Sequence, residues 1–100
     1  MERKMRGVKK AKEILDALTH PSRLAIVEYL DKYPESCTTE LCCDTSVGYM
    51  NSGTFNYHTK ILINLGLVEK VRRGCYSLSD NGEKVYEIIK DIIENPDTGP

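Results

Sequence analysis

The residues best equipped for chemistry lie between Asn51 and Leu67, N-S-G-T-F-N-Y-H-T-K-I-L-I-N-L-G-L. Asn51 and Ser52 are residues that cap a helix start, and Gly66 suits the left-handed turn after a helix end. On a helix between these points, Phe55, Leu62 and Leu65 share one face. Thr54, Asn56, Tyr57 and Lys60 fall mostly on the other. Hydroxyls, an amide, a phenol and an ammonium on one outward face can bond to base edges and phosphates in a groove of nucleic acid. The same pattern also describes an ordinary amphipathic helix with a solvated polar face. Shortly downstream, Arg72-Arg73-Gly74 forms a basic turn.

The other reactive side chains are Cys37, Cys42, Cys43 and Cys75. No two are spaced as C-x-x-C, which gives zinc-ribbon and thioredoxin-type readings no support. In the reducing interior of a mesophile they are expected to be free thiols; a hyperthermophilic source would reopen the disulfide option. No nucleophile–base pairing, phosphate loop or metal triad stands out, so an enzyme is the least expected class.

The elements that position these residues can be read from periodicity and breakers. Residues 1–10 are expected to form a basic arm. Val8, Ala11, Ile14, Leu15 and Leu18 give a first amphipathic helix. His20 precedes a proline and breaks that helix, and Pro21 suits the first turn of the next, which runs to about Lys32. Cys37-Thr38 is a candidate short strand, Thr39 to Cys43 a short helix, and Asp44 to Met50 a turn. After the central helix, Leu67 to Val71 and Cys75 to Leu78 read as two strands of a hairpin. Ser79 caps a last helix with Asp80 and Glu83 in its first turn, where the helix dipole favours negative charge. Val85, Ile88, Ile89, Ile92 and Ile93 give that helix a broad apolar stripe. Residues 11–95 are thus expected to form the domain and 96–100 a flexible tail.

The hundred residues suit one domain of ordinary apolar content, 40%, and carry a formal net charge of −1. The charge is unevenly spread. Residues 1–12 hold six Lys/Arg against one Glu, and residues 51–78 hold Lys60, Lys70, Arg72 and Arg73 against Glu69 alone. The acidic surplus falls on 13–50 and 79–100, so a basic face can exist on a near-neutral chain. No apolar run approaches a membrane span and the N-terminus lacks a signal-peptide core, so a cytoplasmic protein without membrane contact is expected.

Helix, helix, short strand, helix, helix, two-stranded hairpin, helix is a mainly α order with a small β-hairpin, that of a winged helix-turn-helix. Ile14 to Leu30, I-L-D-A-L-T-H-P-S-R-L-A-I-V-E-Y-L, resembles the opening helices of ArsR-type winged-helix transcriptional regulators, "L-x-x-P-x-R-L-x-I-L-x-x-L". Asn51 to Val68 is similar to the recognition helix of archaeal members, "S-S-G-T-L-S-Y-H-L-K-x-L-x-x-x-G-L-V". Tyr76 to Lys84 resembles their wing exit, "Y-x-L-T-x-x-G". Thr59 departs from the pattern, standing where the family usually has Leu in the core.

The resemblance implies a homodimer on the near-palindromic operator of double-stranded DNA. Thr54, Asn56 and Tyr57 would meet base edges, and Ser52 and Lys60 would hold phosphates. Arg72 and Arg73 would reach phosphate or a narrow minor groove. His58 matches the motif and would join the DNA-binding set, although an inward-packing role also fits it. Leu15, Val85, Ile88, Ile89, Ile92 and Ile93 would supply the dimer interface, in competition with the intrachain core. Glu40-Leu41-Cys42-Cys43-Asp44 is similar to the "E-L-C-V-C-D" site of arsenic- and cadmium-sensing relatives, but its two thiols are adjacent. A zinc or arsenite site using Cys37 or Cys75, a redox switch or structural disulfide, and a small buried apolar residue all remain readings of these cysteines. A protein-interaction module of the same fold is the alternative from another class, and loss of affinity with rising salt would discriminate a DNA binder from it.

Overall fold

The structure is a computed structural model that describes residues 2–38 and 51–94, with side chains for all of these but 2–7, 52 and 93. In chain order the described elements are α1 (Glu2–Leu18), α2 (Pro21–Lys32), β1 (Ser36–Cys37), α3 (Ser52–Asn64), β2 (Val68–Arg72), β3 (Cys75–Leu78) and α4 (Asp80–Glu94). The chain is mostly helical, with a small antiparallel sheet ordered β1-β3-β2. The short helix and turn expected between Thr39 and Met50, and the tail from 96, lie outside the described residues.

Helix α2 is the centre of the packing. It contacts α1, α3, α4 and β3, and its Ile26, Val27 and Leu30 are buried to 1% exposure or less. Its start follows from local chemistry. His20 is extended (φ −78°, ψ 118°), as a residue before proline must be, and its Nδ1 accepts from the Ser22 N–H at 3.3 Å. Pro21 then occupies the first turn, where its missing N–H costs nothing.

The basic arm expected over residues 1–10 is instead helical from Glu2, as the first part of α1. Its straight-chain Lys, Arg and Glu residues are good helix formers, and Gly7 costs only about 1 kcal/mol within a helix. Ala17 and Leu18 anchor the other end of α1 in the core.

Helix α3 begins and ends as its sequence suggests. The Asn51 side chain accepts from the Thr54 N–H at 2.8 Å. At the far end the Leu67 N–H bonds Leu62 O at 3.0 Å and the Gly66 N–H bonds Ile63 O at 2.9 Å. That is a Schellman cap, and it needs the left-handed backbone of Gly66 (φ 77°). The cap folds Leu67 back over Leu62, both buried, and sends the chain into β2.

The sheet is pinned at its centre. Strand β3 pairs β2 through Val68–Leu78, Glu69–Ser77, Lys70–Tyr76 and Arg72–Cys75, with an irregularity at Val71. On its other edge β3 pairs β1 through Ser36–Tyr76 and Cys37–Cys75. Thr38 N–H bonds Gly74 O at 2.8 Å, so Cys37 and Cys75 form the close, non-hydrogen-bonded kind of pair. They are joined as a disulfide, with Cα atoms 3.9 Å apart. The expectation of free thiols is therefore corrected for these two residues, and neither can serve the thiol metal site. Strand pairing brings together cysteines that are 38 residues apart in sequence. Cys42 and Cys43 lie outside the described residues.

Helix α4 is fastened to the same junction. Ser79 N–H bonds Leu67 O at 3.0 Å, and Ser79 Oγ donates to Gly66 O while accepting from the Gly82 N–H. Tyr86 is buried and its hydroxyl donates to Glu28 on α2 at 3.4 Å. Val85 and Ile89 are half-buried against the protomer's own core. Of the two roles their apolar stripe allows, this is the intrachain one: one turn apart on the inner face, they pack against the core beside α2 and the sheet. Ile88 and Ile92, at 65% and 64% exposure, face outward, as do Leu15 and Val8 on α1. The Ile93 side chain is outside the described set. No helix among the described residues is long and apolar enough to cross a membrane.

Candidate nucleic-acid interface

Helix α3 has two faces with opposite chemistry. Inward, Phe55 and Leu62 are wholly buried and Thr59 is 2% exposed. Outward, Thr54, Asn56, Tyr57 and Lys60 are all exposed. The helix contains no Asp or Glu, so nothing on it would repel a phosphate. Ser52 opens its first turn, with a side chain outside the described set.

His58 does not belong to the outward set. It is 5% exposed, its Nδ1 accepts from Arg23 Nε at 3.1 Å, and its ring lies 4.6 Å from that of His20. Its assignment to DNA contact is corrected. Position 58 lies on the flank of α3 that meets the start of α2, where the imidazole is enclosed beside Arg23 and His20. Burial first, then the charges of His20 and Arg23, push its pKa below the ordinary value of 6.5. An Nδ1 that accepts from Arg23 carries no proton, so the neutral ring has its proton on Nε2.

Arg23 is the residue that the sequence reading passed over. Half-buried at the start of α2, it donates to His58 and stands 6.0 Å from the centre of the exposed Tyr57 ring. That distance is within reach of a cation–π contact. The H-P-S-R segment was visible in sequence, but nothing local ties Arg23 to a histidine 35 positions away.

The β2–β3 hairpin supplies the second basic feature. Arg73 and Gly74 form its turn, with Gly74 at φ 76°. Arg73 is exposed and has no ion-pair partner among the described residues. Arg72 sits at the end of β2, its Nη1 3.3 Å from Glu35 Oε1, with both side chains about 60% exposed. An ion pair this open to water is worth under about 1 kcal/mol, so Arg72 can exchange Glu35 for another anion at little cost. Val68 apart, β2 shows an exposed surface that includes Lys70.

Among the described residues no group of three or more His, Cys, Asp or Glu side chains could hold a metal ion.

Residues 11–89 match the family model described as a domain of unknown function, DUF7347. The chain belongs to this family. No curated protein and no solved structure matches it. The span matched to DUF7347 takes in the whole of α2, the sheet and α3, and most of α4. It therefore includes the Schellman cap, the disulfide pair and every outward residue of α3.

Gly82 is a second residue whose role only the structure explains. A Cβ there would lie 2.0 Å from the backbone oxygen of Leu67. The glycine lets α4 pack flush against the end of α3, which fixes the hairpin beside that helix. The sequence signal was present in Y-S-L-S-D-N-G, but spacing alone gave no reason for it.

Proposed function

We propose that this chain is a winged helix-turn-helix regulator that binds double-stranded DNA in a sequence-specific way. In this reading α3 enters the major groove and the β2–β3 hairpin is the wing. The observation that carries it is the acid-free outer face of α3, where Thr54, Asn56, Tyr57 and Lys60 stand together, next in sequence to a hairpin tipped by arginine. Asn56 can pair with adenine through two hydrogen bonds, and the Thr54 methyl can touch thymine. Lys60, Arg72 and Arg73 are suited to phosphates. The resemblance to ArsR-type regulators in the three motifs supports the same assignment.

The exposed Leu15, Ile88 and Ile92 support a homodimer, with Val8 extending the apolar surface of α1. A two-fold pair would set its two α3 helices about 34–36 Å apart, over half-sites of a near-palindrome.

Selection of duplexes from a random pool, followed by binding titrations at several salt concentrations, tests this function. The expected result is a near-palindromic consensus and an affinity that falls steeply with salt, by a log–log slope of about −0.9 per phosphate neutralised. A Thr54→Ala, Asn56→Ala, Arg73→Ala triple variant should lose preference for the consensus. Equal binding by wild type and triple variant at low salt would refute the reading.

A further inference from the structure

We propose that Arg23, on α2, is a phosphate contact of the DNA-binding surface, and that His58 is the positioning residue that aims it. The inference rests on the DNA-binding reading above and adds to it a contact from outside α3 and the hairpin.

Arg23 Nε donates to His58 Nδ1 at 3.1 Å, and His58 is buried at 5% exposure. A guanidinium is planar, so one bond at Nε, made to an enclosed acceptor, fixes the plane and leaves the two terminal NH₂ groups pointing away. Those groups make no hydrogen bond to the protein among the described residues. Arg23 also forms no ion pair among the described residues. Glu13 and Asp16 border the shallow recess that Arg23 shares with α1, but Asp16 is taken by Lys12 at 2.7 Å.

The side chain also has a defined direction. The guanidinium carbon lies 6.0 Å from the centre of the Tyr57 ring, and Tyr57 is 60% exposed on the outward face of α3. Arg23 therefore flanks the same surface as Thr54, Asn56 and Lys60. An oriented fork of N–H donors without a protein acceptor matches the oxygens of a phosphodiester. A helix lying in the groove has a sugar–phosphate strand on each side, and Arg23 is placed to meet one of them. His58 contributes without touching DNA: as a neutral acceptor it holds the fork and adds no charge.

The test uses the full chain and a duplex obtained by selection. Arg23→Gln should weaken binding to consensus and scrambled duplexes by the same factor. It should also reduce the salt slope by about 0.9, the share of one phosphate. Arg23→Lys should keep the slope, since the charge remains. His58→Leu should weaken binding while His58→Gln, whose amide oxygen can accept from Nε, restores it.

In wild type, the terminal guanidinium protons of Arg23 should become resolved by NMR on addition of duplex, as rotation is restrained by the phosphate. That measurement needs no variant to fold. An Arg23→Gln protein that binds with the wild-type slope would overturn the proposal and leave the wider DNA reading standing. Unchanged Arg23 resonances in a saturated complex would do the same. Wild type that binds no duplex at low salt would overturn both.

Discussion

Thr59 offers the sharpest test of the packing described here. It is 2% exposed, and its Oγ1 is buried with no hydrogen-bond partner among the described residues. An unsatisfied buried hydroxyl costs about 1–3 kcal/mol. Thr59→Val replaces that hydroxyl with a methyl of nearly the same size, and the two residues have similar helix propensities. The substitution should stabilise the fold by about 1–2 kcal/mol, since the methyl recovers the desolvation cost without enlarging the side chain. For a domain of this size that raises Tm by roughly 4–8 °C per kcal/mol. Thr59→Ser keeps the hydroxyl and loses the methyl, so it should fall below wild type. Thr59→Leu adds volume beside Phe55 and Leu62, which are wholly buried, and should not match the gain from valine. Urea unfolding followed by circular dichroism, with m values compared across the series, measures these differences. A Val variant equal to or less stable than wild type, with unchanged m, would show that the hydroxyl is bonded and the reasoning wrong.

Three further outcomes follow from particular contacts. The Cys37–Cys75 bridge spans 38 residues, a closure that constrains the unfolded chain by about 4 kcal/mol on an entropic estimate. Reduction should lower Tm substantially, and peptide mapping after alkylation should recover a 37–75 linked pair; alkylation of both residues in the folded, unreduced protein would contradict the bridge. Gly82→Ala should destabilise by about 1–3 kcal/mol despite the better helix propensity of alanine, because its Cβ meets Leu67 O. A neutral result in chemical denaturation would mean that α4 can shift freely. The depressed pKa of His58 means that the folded state binds fewer protons than the unfolded one just below pH 6.5. Stability from this residue is thus complete above that pH and declines as pH falls towards the folded pKa. Melting curves between about pH 5 and 8 should show a shallower decline for His58→Gln than for wild type, and identical profiles would count against the buried neutral imidazole.

The limits of α2 and the α3 capping residues were legible because each has a local cause. A residue before proline is extended, proline fits a first helical turn, and asparagine and glycine satisfy helix ends whatever the rest of the chain does. The outward set on α3 was legible for the same kind of reason, since helical spacing sorts Thr54, Asn56, Tyr57 and Lys60 from Phe55 and Leu62. Periodicity misjudged the first ten residues, where helix propensity without an apolar pattern carried α1 back to Glu2.

Tertiary structure decided whatever depended on two distant segments meeting. His58 was drawn inward because Arg23 and His20 enclose it. Val85 and Ile89 went to the core because α2 and the sheet leave that surface open, while Ile88 and Ile92, on the same stripe, stayed exposed. Cys37 found Cys75 because β1 adds to the free edge of β3, and strand pairing sets residues opposite one another without regard to their separation in sequence. A helix face can be read from a spacing of three and four; which partner covers it is fixed only when the other elements pack.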